Sequence, residues 1–118
     1  MVSEIVNMDK LKDFQKIFPR YIIAEVKDSE GWLGDREFLR WGFPNGFGVS
    51  VACHAGTYNG EPELAVIGSD GRIVYDTGIT EDVIPCIKAH EALVRIEQVK
   101  RLQPKPEEEA WSDEPIGI

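Results

Sequence analysis

The chain has 118 residues, 42% of them hydrophobic, which is enough for one domain around a single core. Its formal net charge of −8 offers no cationic footprint to nucleic-acid phosphates. No apolar run approaches the ~18 residues a membrane span needs, residues 1–10 do not read as a signal peptide, and two cysteines, Cys53 and Cys86, read as reduced thiols rather than a disulfide.

In chain order, Leu11, Phe14, Ile17 and Phe18 recur at helical spacing, with Asn7 or Asp9 as cap and Pro19 as stop. This predicts an N-terminal helix. Lys10, Lys12, Lys16 and Arg20 alternate there with Asp9 and Asp13, as on a solvated face. Tyr21-Ile-Ile-Ala-Glu-Val is β-branched and reads as a strand. Residues 27–35 form a polar loop that holds Trp32 and Leu33. These two either tuck onto the core or form an exposed contact patch.

Four short apolar runs follow: Leu39-Arg-Trp-Gly-Phe, Phe47-Gly-Val-Ser-Val, Glu63-Leu-Ala-Val-Ile and Arg72-Ile-Val-Tyr. Pro44-Asn45-Gly46 and Ser69-Asp70-Gly71 punctuate them. Asn-Gly and Asp-Gly suit the positive φ angles of tight turns, so each pair is expected to form a β-hairpin. In the first, Leu39, Trp41 and Phe43 share a face with Phe47, Val49, Val51 and Cys53. Gly48, Ser50, Ala52 and His54 point the other way. That second row is small and weakly polar, so its face is either solvated or closely approached by something. The loop 55–62 carries Thr57 and Tyr58, which either present themselves to a ligand or simply connect strands.

Thr80 is a candidate helix cap with Glu81 and Asp82 in a first turn, while Pro85 suits a later helix start. From there Ala89, Leu93, Ile96, Val99 and Leu102 form an apolar stripe, and Lys88, Glu91, Arg95 and Arg101 face water. Burying four or five such side chains contributes ~1.5–3 kcal/mol each before the entropy cost. Residues 103–118 hold five acids against one base, half of the net charge, together with Pro104, Pro106 and Pro115. They read as a disordered acidic tail whose Trp111 is either a docking motif or a loose contact with the domain.

The expected architecture is therefore α+β. Residues 1–102 form one domain: an N-terminal helix, an antiparallel meander of four to five strands, and a C-terminal helix on one face.

Cys86 and His90 stand four apart and would share a helical face, which is half of a zinc site. Cys53 and His54 are strand neighbours that point to opposite faces, so they cannot both complete it. A three-ligand site from Cys53, Cys86 and His90 is the weak metal alternative, against two buried small hydrophobes and two surface histidines. A Cys86–His90 dyad is the enzymatic alternative, and Glu81 and Asp82 would oppose its thiolate. Neither carboxylate pairs nor glycine-rich loops form a recognisable catalytic or phosphate-binding pattern. No cofactor is expected.

The elements Phe43-Pro-Asn-Gly-Phe-Gly-Val-Ser-Val, Gly56-Thr-Tyr, Glu63-Leu-Ala-Val, Tyr75-Asp-Thr and Ile79-Thr-Glu-Asp-Val-Ile84 resemble a small, mostly uncharacterised family of tailed-bacteriophage and prophage proteins. They cover under half of the chain; the longer N-terminal portion and the acidic tail depart from the family's minimal pattern. The resemblance implies an accessory protein in the cytoplasm of a bacterial host and carries no catalytic residues. The expectation is a non-enzymatic protein that binds a host protein or complex and inhibits a host defence or process. Trp32, Leu33, Ser50, His54, Thr57, Tyr58 and Trp111 are its candidate contacts. Membrane and direct nucleic-acid partners are not expected, and a homodimer is left open. The alternatives are an acidic nucleic-acid mimic, a small-molecule sponge, and the Cys/His-dependent enzyme.

Overall fold

The computed structural model describes residues 8–28, 36–54, 57, 60–74, 77–79 and 83–104. Four strands form one antiparallel meander in sequence order: β1 (Ile22–Asp28), β2 (Arg36–Gly42), β3 (Phe47–Cys53) and β4 (Glu63–Gly68). One helix follows, α1 (Ala89–Lys100). The α+β class and the C-terminal helix stand as expected from the sequence.

Period-two alternation decides which face is dry. Leu39 and Trp41 on β2 meet Val51 and Val49 on β3, and these meet Leu64 and Val66 on β4; all six are fully buried. Ala92, Ile96 and Val99 of α1 close over this inner face with Leu11, Phe14 and Ile17. Removing these apolar side chains from water is the main stabilising term of the fold.

The first hairpin forms as predicted. The Phe43 N–H donates to the Phe47 carbonyl, the Gly46 N–H returns to the Phe43 carbonyl, and Gly46 supplies the positive φ of 89°. The second is shorter than predicted. Gly71 turns the chain at φ 80°, the Gly68 N–H donates to the Arg72 carbonyl and the Val74 N–H to the Val66 carbonyl. Among the described residues a single bridge, Ile67 with Ile73, results. A second bridge joins Leu64 to Ile84. Both lie along the outer edge of β4 and occupy donors and acceptors that an open edge would expose.

The predicted N-terminal helix is replaced by two 3-10 turns, Phe14–Lys16 and Pro19–Tyr21. Leu11, Phe14 and Ile17 are inside as expected, while the backbone forms 3-10 turns rather than an α-helix. The Glu37 carboxylate on β2 accepts the N–H groups of Asp9, Lys10 and Leu11 at 2.9–3.0 Å. At the other end the Trp41 indole N–H donates to the Ile17 carbonyl at 2.7 Å, Ile17 is extended, and Phe18 is left-handed at φ 39°. The sheet thus satisfies end groups that a helix would also leave unpaired, while the extended Ile17 and left-handed Phe18 break the α-helical path between the two turns.

The C-terminal helix begins at Ala89, not near Pro85. Cys86 sits at φ 55°, which no helix tolerates, and the Glu91 carboxylate accepts the Lys88 N–H at 3.1 Å to start the first turn. Its buried stripe is Ala92, Ile96 and Val99, with Ala89 and Leu102 partly buried at its ends. Leu93, assigned to the stripe from the sequence, is 44% exposed, one helical step away from Ala92.

Candidate binding surface

The outer face of the sheet is built by the residues that alternate with the core. Arg36, Phe38 and Arg40 lie along β2. Ser50 stands opposite Arg40 on β3, and Ala65 opposite Ser50 on β4; Ala52 and Glu63 form the next pair. Among the described residues no helix covers this face. Gly48 has no room for a side chain, because a Cβ there would collide with the Trp41 carbonyl. The small row is thus explained in part by the sheet's own close approach.

Three features give this face chemical character. The Arg36 and Arg40 guanidinium groups flank the Phe38 ring at 5.8 and 5.9 Å from its centroid. Arg40 Nε is buried without a hydrogen-bond partner. Beside it lies a hollow of about 210 Å³, lined by Arg40, Ser50, Glu63, the apolar side chains of β4, and the segments around Ile73 and Val83.

Of the contacts expected from the sequence, Ser50 is half-buried in this hollow. His54 ends the β3 run. Its carbonyl accepts the Thr57 hydroxyl at 2.7 Å and the Thr57 N–H at 3.0 Å. Thr57 is therefore buried and closes a turn. Trp32, Leu33, Tyr58 and Trp111 lie outside the described residues, as do Thr80, Glu81 and Asp82.

The cysteines and histidines are not gathered. Cys86 lies outside α1, so it and His90 do not share a helical face as predicted. Cys53 is buried, and its thiol donates to the Gly60 carbonyl at 2.9 Å. Among the described residues no three His, Cys, Asp or Glu side chains form a metal-binding group, and no helix is long and apolar enough to cross a membrane. Burial pushes the Cys53 thiol above its ordinary value of 9.0; Lys10 opposes this and Glu37 and Glu61 add to it.

Arg40 is absent from the contacts expected from the sequence, where it stands only as a member of the Leu39-Arg-Trp-Gly-Phe run. The available signal was its register: Arg40 falls opposite Ser50 whenever the hairpin turns at Asn45. Comparisons with protein-family models, curated proteins and solved structures found no match.

Proposed function

We propose that the chain is a non-enzymatic binding protein, a phage-type accessory factor that acts in the bacterial host cytoplasm by occupying a host protein or complex. The observation that carries this reading is the outer face, which no helix covers among the described residues and where Phe38 stands beside two guanidinium groups. Aromatic and arginine side chains dominate the energetics of protein interfaces because each combines large apolar area with directed polar contacts. Two cations beside one ring select a partner surface that presents carboxylates around an apolar centre. Occupying such a surface would inhibit the partner without chemistry.

The test is affinity capture from a bacterial lysate with the full chain, followed by reconstitution with the purified captured protein. Binding that survives purification and is lost in Phe38→Ala supports the reading. Binding unchanged in Phe38→Ala and Arg36→Glu removes the face from the account. Self-association is the second reading, favoured by β1: among the described residues only β2 pairs with it, and its bulge leaves Ile23 62% exposed. Sedimentation of Ile23→Lys beside the parent chain separates the two readings.

A further inference from the structure

The hollow beside Arg40 carries an inference that does not depend on a macromolecular partner. Its lining places one cation and one anion in a single concavity, and they do not neutralise each other. Neither the Arg40 nor the Glu63 side chain makes a hydrogen bond or ion pair among the described residues. The register explains this. Arg40 stands opposite Ser50 on β3, and Ser50 opposite Ala65 on β4, while Glu63 lies two residues along from Ala65. Strands about 4.8 Å apart and residues about 3.3 Å apart then separate the Arg40 and Glu63 backbones by roughly 12 Å.

The Arg40 end has a buried donor without an acceptor. A buried N–H without a partner is rare in folded proteins and costs the full desolvation of that group. Arg40 Nε is such a group, and the Ser50 hydroxyl lies across the strand from it. A guanidinium fork beside a hydroxyl matches the two oxygens of a carboxylate. The Glu63 end reverses the preference, because its carboxylate repels a simple anion and attracts an ammonium. Between them Ala52, Ala65 and Ile67 form a floor, with Ile73 and Val83 as walls. The volume of about 210 Å³ is many times the ~10–15 Å³ that one water requires.

We infer that the outer-face hollow is a binding site for a small zwitterion of the amino-acid class, its carboxylate on Arg40 and Ser50, its ammonium toward Glu63 and its aliphatic portion on Ala65 and Ile67. A plain carboxylate satisfies only one end. Inorganic phosphate satisfies the arginine but is repelled by the glutamate.

The test is a titration of the isotopically labelled full chain, followed by nuclear magnetic resonance, with L-alanine and L-valine as probes. Isobutyrate, isobutylamine and inorganic phosphate are the controls. The expected result is saturable movement of the Arg40 side-chain Nε–H signal and of the Ser50 and Ala65 amides, at concentrations near 1 mM, with isobutyrate weaker than valine. Arg40→Gln should weaken valine binding at least about tenfold, and Glu63→Gln should bring valine and isobutyrate to parity. If Arg40→Gln fails to fold, Ser50→Ala and the parent chain's own Nε–H signal still decide the matter. No saturable shift up to about 10 mM would overturn the inference. Phosphate binding as tightly as valine would overturn it too, as would valine binding that persists unchanged in a folded Arg40→Gln chain.

Discussion

Glu37 is the side chain on which the N-terminal segment depends. It is 5% exposed and holds three backbone N–H groups from residues that lie 26 to 28 positions earlier. Hydrogen bonds to a charged acceptor contribute more than neutral ones, and removing the acceptor leaves donors without partners. Glu37→Ala should therefore lower stability by about 3 kcal/mol, read as a shift of the urea midpoint. Glu37→Gln, which keeps one acceptor oxygen, should recover part of the loss. Glu37 was legible in principle, since it shares its parity with Leu39 and Trp41 and so must face inward. What the chain alone does not reveal is that a distant backbone would meet it there. Cys53 gives a second prediction at this scale. In the unfolded chain its thiol ionises near 9.0, whereas in the fold it keeps its proton to higher pH. The unfolded state then binds fewer protons, so this contribution to stability is present below 9.0 and is lost as pH rises through the folded value. Thermal melts should show a steeper alkaline decline for the parent chain than for Cys53→Ala. Thiol labelling of the native protein at neutral pH should modify the half-buried Cys86 before the buried Cys53.

At the scale of the elements, Asn45 joins the first hairpin to α1. Its amide NH2 points at the carbonyls of Val99, Lys100 and Leu102 at 2.8, 3.2 and 3.0 Å, and its carbonyl oxygen accepts the Phe47 N–H at 3.0 Å. A turn residue thus caps the end of a helix 54 to 57 positions away. Asn45→Ala should cost about 1–2 kcal/mol by leaving those carbonyls to solvent. Asn45→Asp should cost more, because an acceptor-only anion would face the negative end of the helix dipole. Denaturant melts of both variants check the order. Asn45-Gly46 was readable as a turn; the cap was not, because turn statistics carry no information about which helix end arrives nearby. One member of the α1 stripe, Leu93, was misplaced for a related reason, while Ala89, Ile96, Val99 and Leu102 do pack on the core. Leu93, Ile96 and Val99 satisfy helical spacing as well as Ala92, Ile96 and Val99 do, and only the packing against β3 selects the smaller residue. Gly48 adds a further check on the strand pair: Gly48→Ala should cost ~1–3 kcal/mol or more, since the new methyl meets backbone that cannot move aside.

At the scale of the whole molecule, the meander was legible because its two faces differ so sharply. The row Leu39, Trp41, Val49 and Val51 is apolar, and the row Gly48, Ser50 and Ala52 is not. The 3-10 turns of the N-terminal segment were not legible, because the Glu37 and Trp41 contacts that fix its two ends come from the sheet. The outer face was identified from Ser50, while Arg40, which gives that face its charge and its orphaned donor, emerged only with the register. Among the described residues one face of the sheet is closed by α1 and no helix covers the other, with Leu93 and Val94 as exposed apolar residues on the far side of the helix. The central claim is that the open sheet face, and not the helix, does the binding. The most direct measurement is the affinity of the captured, purified host protein for two charge variants, Arg36→Glu on the sheet and Leu93→Asp on the helix, each first shown to fold. The account predicts at least a tenfold loss, about 1.4 kcal/mol, for Arg36→Glu and little change for Leu93→Asp. The reverse pattern, with binding lost on the helix and kept on the sheet, would contradict it.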